Sequence, residues 1–274
     1  MKKLLAILFL FLTITPIAQA QIGKVAAIKG KVDNGYNFWL YAPQAYADQP
    51  QRDFPLVLYL HGQALCGRSL RAVDRYYTLD AIKMGREINA MVIAPQNPGG
   101  GWKPERLKNV IDWVTDNYRV DTDSIYAVGM SLGGYGIMDL VGTYPTTFAA
   151  AIAVAGGTTL TDVQPMGELP LWIIHGTADR AVPISKSKAV VEALKREDND
   201  DLLRYTWLPG VNHGRPARIF YLKQMYDWLF SHSRASEPQV VNRDISITLD
   251  DIAGTYRGLN SRNKTPIPQV NDIE

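Results

Sequence analysis

A serine between two glycines is the residue of this chain whose type and setting best suit chemistry. The segment Gly-Met-Ser-Leu-Gly occupies residues 129–133, so Ser131 fits the pattern G-x-S-x-G. At a sharp strand-to-helix turn such a serine exposes its hydroxyl, and the N-terminus of the following helix favours developing negative charge. The pattern predicts a nucleophile, although glycine-rich turns of this kind also serve packing or phosphate binding.

An acid and a base follow the serine along the chain. Asp179 comes after the apolar segment 170–174, and His213 comes after the segment 203–208. A serine hydroxyl needs a base to take its proton, imidazole titrates near neutral pH, and a carboxylate orients the imidazole. Asp162 is a second candidate for the acid because it also follows a predicted strand. The loop around Asp179 makes it the preferred candidate, whereas Asp162 could cap a short turn.

The segments around these side chains predict the elements that position them. Residues 56–60, 124–128 and 170–174 are short apolar runs typical of buried strands, and residues 134–144 carry the apolar spacing of a helix. The turn His-Gly-Gln-Ala at residues 61–64 can present N–H groups to an oxyanion. Because ligands bind at the carboxyl ends of parallel strands, we expect all these features at one edge of one sheet.

Over residues 36–232 this layout resembles the α/β-hydrolase fold, with its chain order of serine, acid and histidine and its His-Gly turn. The resemblance implies a mostly parallel central sheet with helices on both faces. Within that superfamily the chain resembles single-domain esterases related to feruloyl esterases, polyhydroxyalkanoate depolymerases and dienelactone hydrolases.

The resemblance also implies roles for individual residues. Ser131 is expected to be the nucleophile, His213 the general base and then acid, and Asp179 the carboxylate that orients the imidazole. The N–H groups of Gln63 and Leu132 are expected to form the oxyanion hole. No cofactor and no metal are expected, because the histidines lack the spacing of metal ligands.

The remaining histidines and the cysteine are expected to be structural. His61 is expected to brace the oxyanion turn, His175 to be structural in the acid loop, and His232 to lie at the end of the last helix, predicted over residues 217–231, partly charged. The one cysteine, Cys66, excludes an intramolecular disulfide and is expected to be a buried thiol.

Two further segments bear on the substrate. Residues 156–169 are too few to build a cap domain between their flanking strands, so we predict an open site that accepts an ester on a bulky chain. The glycine-rich loop 98–102 ends in Trp102, which either stacks on a sugar or aromatic acyl group or packs at the start of a helix. The sequence leaves these two interpretations of Trp102 open.

The ends of the chain suggest export and an extension. Residues 1–20 have the two lysines, apolar run and small-residue end of a signal peptide, which predicts a periplasmic or secreted catalytic domain over residues 21–232. The apolar run is too short to span a membrane. Residues 233–274 form an extension of unknown role, in which residues 245–249 alternate like a strand.

Removing the signal peptide turns the formal charge of +2 into about zero, so the net charge favours neither nucleic acid nor anionic membranes as partners. We expect an exported serine hydrolase that cleaves carboxylic esters, with acetyl or feruloyl esters of plant polysaccharides as favoured substrates. A peptidase resembling the prolyl oligopeptidase catalytic domain and a catalytically silent carbohydrate-binding protein are the alternatives. The sequence does not determine the oligomeric state.

Overall fold

One nine-stranded sheet organises the protein. The computed structural model describes residue 23, residues 25–236, residues 247–253 and the backbone of residues 269–270; the predicted signal peptide lies outside these residues. The strands are β1 Val25–Ile28, β2 Phe38–Tyr41, β3 Phe54–Leu60, β4 Met91–Pro95, β5 Val120–Met130, β6 Ala150–Val154, β7 Leu171–Gly176, β8 Leu203–Leu208 and β9 Gln269–Val270. Their order in the sheet is β8-β7-β6-β5-β3-β4-β2-β1-β9.

Helices cover both faces of this sheet. The α-helices are α1 Ala45–Asp48, α2 Tyr77–Lys83, α3 Pro104–Asn117, α4 Leu132–Thr143, α5 Ser185–Arg196, α6 Lys223–Phe230 and α7 Leu249–Ala253. Five 3-10 helices join them: Gln63–Leu65, Leu70–Arg75, Pro145–Thr147, Gln164–Glu168 and Arg215–Tyr221. Among the helices of the described residues, none is both long enough and apolar enough to cross a membrane.

The sheet is parallel from β4 through β8, and β1 and β2 add an antiparallel pair at one side. Alternate residues of each central strand enter two separate apolar cores, one on each face. The strands β4, β6 and β7 are buried along their whole length, which explains why their sequences are continuous apolar runs rather than alternating ones. The predicted mostly parallel α/β-hydrolase architecture is confirmed.

The connection between β6 and β7 is short, as the sequence predicts. It contains only the 3-10 helix Gln164–Glu168 and adds no cap domain. Buried Asp139 of α4 anchors the loop after β6, because its carboxylate accepts hydrogen bonds from the hydroxyls of Thr158 and Thr159 at 2.6 and 2.7 Å. Among the described residues, this connection therefore adds no domain over the carboxyl ends of β6 and β7.

The single helix predicted over residues 217–231 is wrong. The structure has the 3-10 helix Arg215–Tyr221 and then α6, with Leu222 extended between them. The carbonyl oxygen of Tyr221 accepts hydrogen bonds at 3.1 and 2.8 Å from the guanidinium of Arg86. This long-range contact satisfies the carbonyl without the next helical turn, so tertiary structure overrides the local helical pattern.

Residues 247–249 are the described part of the segment predicted to alternate like a strand, and they do not form a strand. Leu249 begins α7, and Thr248 and Asp251 form a reciprocal cap in which the Thr248 N–H donates to the Asp251 carboxylate at 2.7 Å. Ile247 and Ile252 are buried in the core, so this part of the extension packs on the body. The division of the chain at residue 232 stays a prediction.

His232 is buried and neutral rather than partly charged at a helix end. It is 5% exposed, its ring contacts that of Trp228 at 4.7 Å between centroids, and its Nε2 has no partner among the described residues. Burial away from water lowers the pKa of His232 to about 4. The imidazole is therefore uncharged at neutral pH.

We expect His232 to make folding pH-dependent. Between pH 6.5 and 4.5 the unfolded chain takes up a proton here that the folded chain does not, so stability falls as pH falls, by on the order of 2 kcal/mol. His232→Phe keeps a ring against Trp228 and removes this titration. Urea unfolding at several pH values should show a flatter dependence for the variant, and parallel curves for the two proteins would contradict the assignment.

Candidate active site

Ser131 occupies a strained turn that only its glycine neighbours permit. Its backbone lies at φ 57° and ψ −118°, between the end of β5 and the start of α4. A Cβ on Gly129 would lie 2.5 Å from the Gly133 carbonyl oxygen, and a Cβ on Gly133 would lie 2.1 Å from that of Leu60. Both distances are impossible for a larger residue, so the two glycines of the pattern are required by close backbone approach.

The structure brings together the three side chains that the sequence singles out. The Ser131 hydroxyl lies 2.9 Å from Nε2 of His213, and Nδ1 of His213 lies 2.7 Å from Oδ2 of Asp179. The imidazole side chain is 26% exposed, whereas the carboxylate is fully buried. The arrangement can pass a proton from the hydroxyl to the imidazole while the carboxylate fixes the orientation of the ring.

The Asp179 carboxylate is held from two sides. Its Oδ1 accepts hydrogen bonds from the N–H groups of Ala181 and Val182, both at 2.9 Å, and its Oδ2 faces His213. Burial alone would raise the pKa of Asp179, but the hydrogen bond from His213 and those from the backbone outweigh it and hold the pKa below its ordinary value. Asp179 is therefore ionised at neutral pH.

His175, expected to be structural in the acid loop, also contacts the acid itself, which the sequence does not predict. It is fully buried, and its Nε2 lies 3.1 Å from the same Oδ2 of Asp179 and 2.9 Å from the Val182 carbonyl oxygen. Both of these partners accept, so Nε2 carries a proton and donates. Nδ1 lies 2.8 Å from the Ser187 hydroxyl. Burial lowers the pKa of His175, which keeps the ring neutral. In the sequence, the one indication of this contact is that His175 lies four residues before Asp179.

We expect His175 to position the acid for His213. His175→Phe keeps a buried ring but removes the N–H that holds Oδ2, so kcat should fall about 10- to 100-fold with little change in KM, by analogy with outer partners of metal ligands. Steady-state kinetics on a small activated ester would measure this split.

Ser187→Ala is the matched control for that variant. Ser187 belongs to the same buried network, through His175 and the Gly156 carbonyl oxygen, but does not touch Asp179. We expect it to lower stability with a much smaller effect on kcat. Equal losses of kcat in the two variants would indicate that His175 only supports the fold.

The turn that carries Gln63 lies beside the serine. A Cβ on Gly62 would be 3.4 Å from the Cβ of Ser131, and Gln63 begins the next 3-10 helix. Leu132 is the first residue of α4, where the N–H has no partner within the helix. The two N–H groups predicted for an oxyanion hole thus belong to segments that flank the Ser131 side chain.

His61 braces this turn, as the sequence predicts. Its Nε2 accepts a hydrogen bond from the Asn97 N–H at 3.1 Å, so Nδ1 carries the proton and donates to the Gly62 carbonyl oxygen at 2.8 Å. Burial lowers the pKa of His61, which preserves this neutral form. The bonds tie the oxyanion turn to the loop after β4.

The structure contradicts substrate contact by Trp102. The residue is 4% exposed, its indole N–H donates to the His61 carbonyl oxygen at 3.3 Å, and its ring meets that of Tyr36 edge-on at 5.1 Å. A Cβ on Gly136 of α4 would lie 2.7 Å from the indole. With both faces covered, Trp102 packs the start of α3 and supports the turn beneath it.

Other candidate residues lie apart from the hydrogen-bonded chain. Asp162 is exposed, and its carboxylate accepts a hydrogen bond from the Gln164 N–H at 3.0 Å, which is the turn-capping role that the sequence allowed. Cys66 is a free, half-buried thiol whose pKa is raised by burial. Within the described residues, no three His, Cys, Asp or Glu side chains cluster as metal ligands.

The sheet, the strained serine turn and the order of the three side chains define an α/β-hydrolase. The model of the prolyl oligopeptidase family matches residues 96–167 and 161–236, about half of the chain. The protein therefore belongs to the prolyl oligopeptidase family. This is the group that the sequence analysis gave as the alternative to an esterase.

Curated relatives are esterases by name. The chain is 29% identical over 161 residues to a putative esterase, NocK, of Nocardia uniformis, covering 52% of this chain and 46% of the relative. It is 26% identical over 153 residues to acetylxylan esterase A of Emericella nidulans, covering 49% of this chain and 47% of the relative. The chain thus spans about half the length of the curated relatives it matches.

Solved structures show the same fold. A thermostable esterase is 27% identical with a TM-score of 0.62, over 72% of this chain and 59% of that one. A mutant feruloyl esterase module from Clostridium thermocellum, complexed with sinapinate, is 17% identical with a TM-score of 0.55. The match covers 76% of this chain and 87% of that one. The second likeness concerns the fold alone.

Proposed function

We propose that the protein is an exported serine hydrolase that cleaves carboxylic esters through an acyl-enzyme intermediate. The observation that carries the proposal is the continuous hydrogen-bonded chain from the Ser131 hydroxyl through His213 to buried Asp179. This chain is intact, which speaks against a silent carbohydrate-binding protein. The names of the curated relatives favour an ester as the substrate.

In the proposed reaction, His213 takes the proton of Ser131 as its oxygen attacks the ester carbonyl carbon. The N–H groups of Gln63 and Leu132 donate to the resulting oxyanion. His213 then gives its proton to the departing alcohol, which leaves an acyl group on the serine. A water molecule then gives a proton to the same imidazole as its oxygen attacks the acyl carbon. The bond to the serine oxygen breaks, the carboxylic acid departs, and His213 returns the proton to Ser131. Asp179 stabilises the charged imidazole in both halves of the reaction.

Acetyl or feruloyl esters of plant polysaccharides are the proposed substrates. One relative is named an acetylxylan esterase, and one structural neighbour is a feruloyl esterase module. The short connection between β6 and β7 supports the same choice, because an open edge admits a bulky polymer. The polar chain ends of such a substrate can remain in water while its ester reaches Ser131.

A peptidase is the second candidate, and the family match favours it. The same three side chains would then attack an amide, and His213 would protonate a departing amine. An amide substrate with proline before the scissile bond tests this alternative in the same assay.

Export is part of the proposal and rests on residues 1–20. Two lysines, an apolar run and Ala-Gln-Ala before Gln21 are the parts of a secretory signal. Mass spectrometry of the protein recovered outside the cytoplasm should give an N-terminus at Gln21. A chain recovered there with Met1 intact would contradict this part of the proposal.

The substrate class is tested by comparing kcat/KM on four compounds: a feruloylated oligosaccharide, an acetylated oligosaccharide, a small activated ester and a prolyl peptide. We expect turnover of a saccharide ester to exceed that of the peptide by orders of magnitude. Faster turnover of the peptide would reverse the choice between the two candidates. Turnover of the small ester alone would retain ester hydrolysis and reject the saccharide.

A further inference from the structure

The near-zero formal charge conceals a separation of charge between the two edges of the sheet. The catalytic edge consists of the loops after the parallel strands, residues 61–76, 96–103, 155–163, 177–184 and 209–215. Six cationic side chains are exposed in these loops: Arg68, Arg71, Arg75, Lys103, Arg180 and Arg215. None of them forms an ion pair with a carboxylate of the described residues.

Carboxylates are scarce at the catalytic edge. Asp74 is buried and paired with Lys83 at 2.7 Å, and Asp179 is buried in the hydrogen-bonded chain. Asp162 is the single exposed carboxylate among the described residues of these loops. The exposed charge at this edge is therefore strongly positive.

The opposite edge carries the compensating negative charge. In the turns that lead into the strands, and in the ends of α3 and the 3-10 helix before β7, seven acidic side chains are exposed: Asp53, Glu87, Asp116, Glu168, Glu197, Asp198 and Asp201. Arg52, Arg196 and Arg234 are exposed cations beside them. Among the described residues, the loops that hold the catalytic side chains are thus positive, and the turns at the opposite edge of the sheet are negative. Such a field attracts anions toward the site before contact.

Several of these cations lie on the same loops as the residues of the hydrogen-bonded chain. Arg180 directly follows Asp179, and Arg215 lies two residues after His213. Arg68 follows Gly67, whose N–H donates to the Asn97 carbonyl oxygen at 2.9 Å, so the first and second loops are joined here. The charges consequently belong to the loops that carry Asp179 and His213 and to the loop that carries the oxyanion turn.

An exposed aromatic ring accompanies these charges. Tyr76 is 48% exposed and directly follows Arg75, in contrast to the buried Trp102. Its open ring offers the face on which a sugar stacks, next to a guanidinium that binds carboxylates. An acetyl or feruloyl group carries no carboxylate of its own once esterified, so the anion must lie in the saccharide.

We propose that the catalytic edge selects acylated oligosaccharides that carry carboxylate groups, such as uronic-acid residues. The proposal rests on the ester hydrolysis proposed above and adds the chemistry of the alcohol. The cations hold the acidic saccharide across the edge, Tyr76 stacks on a sugar, and the ester reaches Ser131. The anion and the ester belong to one molecule, because the cations lie on the loops that carry the catalytic side chains.

The test compares two acetylated xylo-oligosaccharides of equal length, one with a glucuronic-acid substituent and one without. At 20 mM salt we expect kcat/KM to be about tenfold higher for the acidic compound, and raising the salt to 300 mM should remove most of this difference. Equal values at both salt concentrations would overturn the proposal, and a preference for the neutral compound would do so more strongly.

Two sets of substitutions locate the effect. Arg68→Gln, Arg180→Gln and Arg215→Gln together should abolish the ratio between acidic and neutral substrates. Arg52→Gln with Arg196→Gln at the opposite edge should retain it. If the control pair removes the ratio as well, the catalytic edge is not its source. Should the triple variant fail to fold, the salt dependence of the unaltered protein decides the question.

The same assay separates this inference from the proposed function. Equal hydrolysis of both oligosaccharides leaves the esterase intact and rejects selection of acidic saccharides. Failure to hydrolyse either oligosaccharide or a small activated ester rejects ester hydrolysis, and the inference with it.

Discussion

Ser131→Ala should lower kcat on a small activated ester by about 10⁶, because the three side chains act as one unit and the substitution removes the attacking atom. The strained turn should persist, since Gly129 and Gly133 still fit the close backbone contacts that build it. Circular dichroism and the unfolding midpoint should therefore change little. Steady-state kinetics with the parent protein alongside measures the loss.

The same prediction has a stricter form in a double variant. The hydroxyl of Ser131 needs His213 to accept its proton, so His213→Ala should cost nearly as much as Ser131→Ala. Combining the two should add little further loss. Strictly additive losses, or a Ser131→Ala protein that keeps a tenth of its activity, would show that the serine and histidine act separately.

Asp179→Asn should lower kcat by about 10⁴. This is the loss found in a serine protease when the acid of its triad is replaced by the corresponding amide. The N–H groups of Ala181 and Val182 would retain the amide oxygen at the Oδ1 position. The amide NH₂ would then donate to Nδ1 of His213. This hydrogen bond would favour the ring form that carries its proton on Nε2. That form cannot accept the proton of Ser131.

Asp162→Asn is the matched control, because Asp162 is the other acid that follows a strand of the same sheet. Its carboxylate bonds to the Gln164 N–H and is exposed, so kcat should remain close to that of the parent. Full activity of Asp179→Asn together with loss in Asp162→Asn would exchange the roles of the two residues.

Local rules were sufficient to predict much of the sheet and the placement of the three side chains. The segment 203–208 became β8 with the same limits, although it is a partly exposed edge strand, because its leucine and aromatic residues form a short run bounded by turns. The pattern G-x-S-x-G also predicts the sharp turn at Ser131, where the glycines avoid close contacts with the backbone of Gly133 and Leu60.

Features that depend on distant contacts could not be predicted from local pattern. The break at Leu222 depends on Arg86, which is far away in sequence. Trp102 was ambiguous because an aromatic residue after glycines suits either an exposed loop or a packed helix start, and Tyr36 and Gly136 cover it.

The distribution of charge and the buried polar contacts also depend on the folded structure and could not be predicted from local pattern. The total charge of +2 contains no information about which edge of the sheet each arginine occupies. The edge on which each arginine lies depends on which loops follow the carboxyl ends of the strands, and this is a property of the folded sheet. Likewise, the sequence placed His175 near Asp179 along the chain, but a histidine four residues before an acid has no fixed direction in a turn. Its contact with Oδ2 required the folded strand and loop.

Labelling of Ser131 by a fluorophosphonate tests the central claim most directly, because this reagent reacts with a serine whose proton a neighbouring base removes. Intact-mass analysis should find one adduct per chain, and peptide mapping should place it on Ser131. Ser131→Ala should take up none, and His213→Ala should react far more slowly. An adduct on another residue, or equal labelling of the Ser131→Ala protein, would contradict the account.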